Sequence, residues 1–338
     1  MKLTKCAQNP ILKPNPDIVW ESLCVLNPAC AYDDEAKEFV MLYRAAGNDS
    51  EHIIRLGLAK SKDGVNFKRM SKKPVLSPDV NGADAGCIED PRIIKMGGWY
   101  YMTYASRTYA PGQYWLQGNK PSNPQLQFGP EIVNANLSVT HLAISKDLKS
   151  WKKLGRITDS RVDDRDVIIF PEKVNGKFVK LSRPATWCGA GYPCKAPAIL
   201  ISYSDDLMEW GKPKLLMQGE QWWESKKTGG SCPPIKTDKG WFFMYHGVAT
   251  KDDAYRVGAV LLDLNNPSKV IARTKDFLME PEFDYETKGY YNGCVFPTAN
   301  VLNDGTLYVY YGAADKFVCQ ATADFKTLIN YLAGECKI

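Results

Sequence analysis

The chain has 338 residues, 44% of them hydrophobic and 24% charged, with a formal net charge of +5. These shares are ordinary for a soluble globule with a full core. The Lys and Arg are scattered, with no dense run of the kind that follows a nucleic-acid backbone, and no apolar run is long enough to span a membrane. Nucleic-acid and membrane partners are therefore set aside.

The first fourteen residues hold lysines but no apolar segment, so no secretory signal is read there. The ten cysteines form no C-x-x-C pair and there are only three histidines. Reduced thiols in a cytoplasmic protein, with no metal site, are the expectation.

Along the chain one pattern recurs five times. It starts with a dipeptide ending in proline: Asn27-Pro28, Asp90-Pro91, Phe170-Pro171, Pro233-Pro234 and Phe296-Pro297. A turn follows, as at Met96-Gly97-Gly98 or Asn303-Asp304-Gly305. Then comes an apolar and aromatic run at residues 39–45, 99–105, 178–184, 241–247 and 307–313, with the β-branched and aromatic content of a strand. In three copies a further strand leads into a Ser-x-Asp turn with an aromatic four residues on: Ser61, Asp63 and Phe67; Ser145, Asp147 and Trp151; Ser204, Asp206 and Trp210. The prolines are read as the first residues of strands, where the missing N–H is tolerated.

Successive prolines lie 63, 80, 63 and 63 residues apart. Five near-equal antiparallel units imply a single all-β domain over residues 1–338, a five-bladed β-propeller with its active site at the central channel. The long second interval places an insertion at residues 106–134, rich in Pro, Gly, Asn and aromatics, which suits a lid or a wall of a cleft.

Superposing the repeats brings side chains into register. The ends of the aromatic runs align Arg44, Tyr104, Arg183, His246 and Gly312, three of them cationic or able to become so. Arg44, Arg183 and His246 aimed at one centre describe an anion site. The positions before the prolines align Asn27, Asp90, Phe170, Pro233 and Phe296, among which Asp90 is the only acid and a candidate proton donor. Asn27 and Tyr104 fall beside these groups as substrate contacts. Lys227, before Gly229-Gly230-Ser231, can offer an ammonium and turn N–H groups to an oxyanion.

The segments Glu89-Asp90-Pro91-Arg92, residues 165–173, residues 227–236 through Tyr245-His246-Gly247, and residues 296–297 through Tyr311-Gly312 to Asp315 together resemble glycoside hydrolase family 130. The resemblance implies an inverting enzyme, a glycosyltransferase acting on phosphate, that converts a β-1,2- or β-1,4-linked manno-oligosaccharide and inorganic phosphate into α-mannose 1-phosphate. It implies Asp90 as proton donor, working through the mannose 3-hydroxyl. It also implies Arg183, Lys227 and His246 as phosphate ligands, and Arg44 and Asp315 as mannose contacts. Phosphate is then a co-substrate and no other cofactor is called for; the sequence leaves room for a homo-oligomer. The alternative is an inverting β-1,2-mannosidase, in which Glu224, Glu280, Glu282 or Glu286 activates water.

Overall fold

The computed structural model describes residues 1–116 and 123–338. Its strands pair into five separate antiparallel sheets, taken in chain order. Blade one runs Cys24–Asp33, Glu38–Ala46, Arg55–Ser61 and Lys68–Arg69; blade two Cys87–Met96, Trp99–Arg107, Val139–Ser145 and Lys152–Arg156. Blade three runs Asp164–Ile169, Phe178–Pro184, Ile199–Ser204 and Lys214–Met217. In blade four the first strand is split, Lys227–Gly230 and Ile235–Thr237 both pairing with Gly240–Val248 before Tyr255–Leu262 and Val270–Arg273. Blade five runs Val295–Asn303, Thr306–Ala313 and Phe317–Asp324, and its outer strand is Thr4–Lys5 from the other end of the chain. This is the five-bladed propeller, closed because the N-terminal strand hydrogen-bonds into the last sheet.

The first strands surround the centre. Thr103 Oγ1 of blade two donates to the Val167 carbonyl of blade three, and Thr298 Oγ1 of blade five to the Pro28 carbonyl of blade one. The prolines do not open these strands. Pro28, Pro91 and Pro297 sit inside them, at points where the ladder slips register. A bulge leaves one N–H unpaired, so it accommodates proline where a regular strand does not. In blade three the slip falls between Arg165 and Ile168 and carries Val167, while Pro171 lies beyond the strand's end.

The aromatic second strands supply the core between blades, and four of them share one polar device. Tyr43 donates to Glu21, Tyr104 to Asp84, Tyr245 to Glu224 and Tyr311 to Glu286, at 2.6, 3.1, 2.6 and 2.8 Å. Each acid is also paired with a cation on the outer strand of the same blade: Arg69, Lys153, Arg273 and Lys5. Blade three has Ser182 in place of the tyrosine. These carboxylates are buried and ion-paired, as a buried charge must be. Glu224 further accepts the N–H groups of Glu220 and Gln221, and Glu286 those of Glu282 and Phe283. Glu224→Gln should therefore cost about 3 kcal/mol of stability by stranding Arg273, while kcat of the folded protein stays within about twofold. Denaturant unfolding and turnover measured on the same preparation check this.

The Ser-x-Asp turns form as read. In each, the Ser hydroxyl donates to the Asp carboxylate, which accepts two following N–H groups. Phe67 packs 5.6 Å from Tyr310 of blade five, between sheets. All ten cysteines are free thiols, and among the described residues no helix is long and apolar enough to cross a membrane.

Candidate active site

The bulges deliver the first set of site residues. Asn27, Asp90 and Asp166 occupy equivalent bulge positions in blades one, two and three, with φ of 40°, 52° and 56°. Asn and Asp are the side-chain-bearing residues that best tolerate this left-handed conformation, which explains their presence at three sharp bends. All three line one cavity at the channel, together with Arg44, Arg183, Lys227, His246 and Asp315.

Asp90 forms the acid side. Its side chain is 14% exposed, so the carboxyl reaches the cavity. Oδ1 accepts from Asn27 Nδ2 and from Arg44, both at 2.8 Å, and its carbonyl accepts from Arg92 at 3.0 Å. Oδ2 takes no hydrogen bond among the described residues, leaving one oxygen for chemistry. Arg44 also pairs with Glu89 at 3.0 Å. Gly312, opposite Phe296 in blade five, has no alternative there: a Cβ would sit 1.8 Å from Asn27 Oδ1. Asp315 adds a second carboxylate. Burial holds its pKa above the usual value; Arg44 opposes this and the charges of Asp90 and Glu89 add to it.

The basic side is built by blades three and four. Arg183 lies opposite Arg165 in the ladder, and His246 lies opposite Gly229. The segment read as a Gly-Gly-Ser turn is a strand, Lys227–Gly230, and the Thr228 and Ser231 N–H groups are spent on the Pro197 and Met244 carbonyls. Its glycine serves packing: a Cβ on Gly229 would meet Asp166 Oδ2 and the His246 ring at 2.5 Å. Lys227 Nζ donates to Tyr255 OH at 2.6 Å. Burial, then Arg183 and Arg165, push its pKa down to about 8, with Asp166 opposing. Burial, and then Lys227, Arg183 and Arg92, push His246 down to about 3 against the pull of Asp166. His246 is therefore a neutral hydrogen-bonding group at neutral pH, and Arg183 and Lys227 carry the charge, with Arg165 and Arg107 also on the cavity wall.

The insertion closes one flank. Residues 117–122 of it lie outside the described residues, but Pro111 and Tyr114 line the cavity. Tyr114 OH donates to Asp315 Oδ2 at 3.4 Å, and the Trp115 ring packs 4.7 Å from both His52 and Tyr290. The strap thus reaches from blade two across blade one to the loop before blade five. Tyr114→Ala should raise the KM for a sugar substrate about tenfold, as expected when an aromatic contact is removed, and leave the KM for an anionic co-substrate within about twofold. Steady-state kinetics in each substrate test this.

Seven of the residues read from the sequence meet here. Tyr104 is the exception and a correction. The ladder sets Ala105, not Tyr104, opposite Glu89, so Tyr104 points into the core, stacked on His141 and bonded to Asp84. The glutamates named as water-activating bases are also elsewhere: Glu224 and Glu286 are the buried acids described above, Glu280 pairs with Arg256 and Glu282 with Lys5. Asp166, Glu89 and Tyr255 went unrecognised. Asp166 had a signal, since the interval from it to Arg183 equals that from Asn27 to Arg44.

Fold and cavity together define a five-bladed propeller whose channel sets a carboxyl group against a basic wall, the layout of an active site for an anionic and a polar substrate. The sequence profile of glycoside hydrolase family 130, described as beta-1,4-mannooligosaccharide phosphorylase, matches residues 3–334. A 1,2-beta-oligomannan phosphorylase of Thermoanaerobacter sp. (strain X514) is 38% identical over 334 residues, covering 97% of this chain and 99% of that one. A beta-1,2-mannobiose phosphorylase of the same organism is 36% identical, covering 94% and 95%. The structure of a beta-1,2-mannobiose phosphorylase from Listeria innocua, in complex with beta-1,2-mannobiose, superposes with a TM-score of 0.79 at 26% identity, covering 98% and 99%. The chain belongs to glycoside hydrolase family 130.

Proposed function

We propose that the protein phosphorolyses β-1,2-linked manno-oligosaccharides with inversion, giving α-mannose 1-phosphate and a shortened sugar. The observation that carries this reading is the pairing, in one cavity, of Asp90 with a wall of Arg183, Lys227 and His246. The preference for the β-1,2 linkage rests on the two relatives of 38% and 36% identity, both named for that linkage.

In this mechanism mannose binds between Asn27, Arg44 and Asp315, and phosphate lies against the wall. Asp90 gives its proton toward the glycosidic oxygen, relayed by the mannose 3-hydroxyl as the family resemblance implies. The C1–O bond to the leaving sugar breaks, and a phosphate oxygen bonds C1 from the opposite face. The leaving sugar departs with the proton and Asp90 is left as a carboxylate. Arg183 and Lys227 offset the phosphate charge and aim it, so that attack is effectively intramolecular. Phosphate is the co-substrate, and no further cofactor has a step.

Incubation with β-1,2- and β-1,4-mannobiose, each with and without phosphate, tests the reading. The expected result is mannose 1-phosphate from the β-1,2 disaccharide only when phosphate is present. Free mannose as the sole product in phosphate-free buffer at full rate would establish a hydrolase instead.

A further inference from the structure

We propose that Asp166 is a positioning residue that aims the phosphate-binding wall and ties it to the proton donor. Its carboxylate is buried and stands at the junction of three blades. Oδ2 accepts from Arg183 Nε at 2.6 Å and faces His246 Nε2 at 3.6 Å; Oδ1 faces Arg92 Nη2 at 3.4 Å.

The geometry at Arg183 is the central point. A guanidinium held by its Nε has lost its rotational freedom and presents its remaining N–H groups as a fixed fork. Both Nη atoms of Arg183 make no hydrogen bond to the protein among the described residues, and the side chain lines the cavity. Asp166 thus holds the one edge of Arg183 that an anion does not need. It holds it from a left-handed backbone position, φ 56°, on a bulge equivalent to those that carry Asn27 in blade one and Asp90 in blade two.

Arg92 extends the arrangement to the acid. Fully buried, it donates to the Asp90 carbonyl at 3.0 Å and to the Ser231 carbonyl at 2.8 Å, with Asp166 beside its other nitrogen. Asp90, Arg92, Asp166 and Arg183 therefore form one connected chain from proton donor to anion wall. Burial pushes the Asp166 carboxyl up, but Arg183, His246 and Arg92 outweigh it and hold the group well below the ordinary range, so it works as an anion. A counter-ion whose only task was charge balance would compete with phosphate. A positioning residue helps phosphate bind although both are negative, and that difference in sign makes the inference testable.

The inference rests on the phosphorylase reading, and the test separates the two. The melting temperature of the wild-type chain is measured with and without inorganic phosphate, then that of Asp166→Asn, whose amide tolerates the same backbone conformation. Phosphate should stabilise the wild type and stabilise Asp166→Asn much less. The variant's KM for phosphate should rise about tenfold or more, with the mannoside KM within about twofold. Combined with Arg183→Lys, the Asp166→Asn change should add little further loss, because it acts through Arg183. Unchanged or tighter phosphate binding in Asp166→Asn, or additive losses in the double variant, would overturn the positioning role while leaving phosphorolysis intact. A wild-type chain indifferent to phosphate would overturn both. Should Asp166→Asn fail to fold, Asp166→Glu keeps the charge, displaces the carboxylate by one methylene, and is judged by the same criteria.

Discussion

Asp90→Asn should fold, bind its sugar, and turn over about 10²–10⁴ times more slowly than the parent, the loss typical of a missing general acid. The substitution is gentle for structural reasons. Asparagine accepts the left-handed φ of 52° that the bulge imposes. Its amide oxygen can keep the two donors that now converge on Oδ1, Asn27 Nδ2 and Arg44, each at 2.8 Å. The amide nitrogen then takes the place of Oδ2 and offers the substrate a hydrogen bond, but no acidic proton. Sugar binding and melting temperature should consequently stay close to those of the parent while kcat collapses. An Asp90→Asn enzyme that keeps more than about a tenth of its activity would remove Asp90 from the donor role and direct attention to Asp315, a cavity carboxyl whose pKa burial holds above its usual value.

Lys227→Ala should raise the phosphate KM by about 10²-fold and leave mannoside affinity nearly unchanged, because it deletes one charge-assisted contact from the wall and none from the sugar side. The pH dependence gives a sharper form of the same test. Lys227 is pushed down to about 8, so it is an ammonium below that pH and an amine above it. Only the ammonium attracts phosphate. The phosphate KM should therefore be flat below about pH 7.5 and climb up to about tenfold per pH unit beyond 8, and this climb should vanish in Lys227→Ala. The contribution of Lys227 to stability runs the other way. Between about 8 and 10.5 the unfolded chain holds the proton that the native state has released, so this group adds stability as pH rises through that window. His246, depressed to about 3, stays neutral throughout and should contribute no step.

How much of this could be read from the residues depended on which marker was followed. The aromatic second strands carry a strong local signal, and through them Arg44, Arg183 and His246 came into register, as their ladder positions opposite Leu26, Arg165 and Gly229 bear out. The first strands were aligned on their prolines, and that marker fails in blade three. Val167 occupies the bulge there, Pro171 lies outside the strand, and Phe170 took the place that belongs to Asp166. Tyr104 went astray through the same neglect of bulges: a slip of one residue turns a side chain to the opposite face of the sheet. The buried acids were hidden for another reason. Glu21, Asp84 and Glu224 each lie just ahead of the first strand of their blade and Glu286 further ahead, all in connecting segments without a strand pattern, and only the folded ring brings each beneath its tyrosine.

Thr4–Lys5 pairs with Phe317–Asp324, and Lys5 reaches the buried Glu286 at 2.8 Å. On the ribosome that strand emerges before every other strand described here, yet its partner emerges among the last. At a synthesis rate of about 5–20 residues per second, the wait is roughly 15–60 s. Throughout that time Lys5 lacks the tyrosine–carboxylate pair of the fifth blade, and Asp315 has not yet joined Asp90. Nascent chains should therefore acquire blades one to four as protected units well before any of them can hold substrate. Sugar recognition would switch on in a single late event, when the two distant ends of the chain meet.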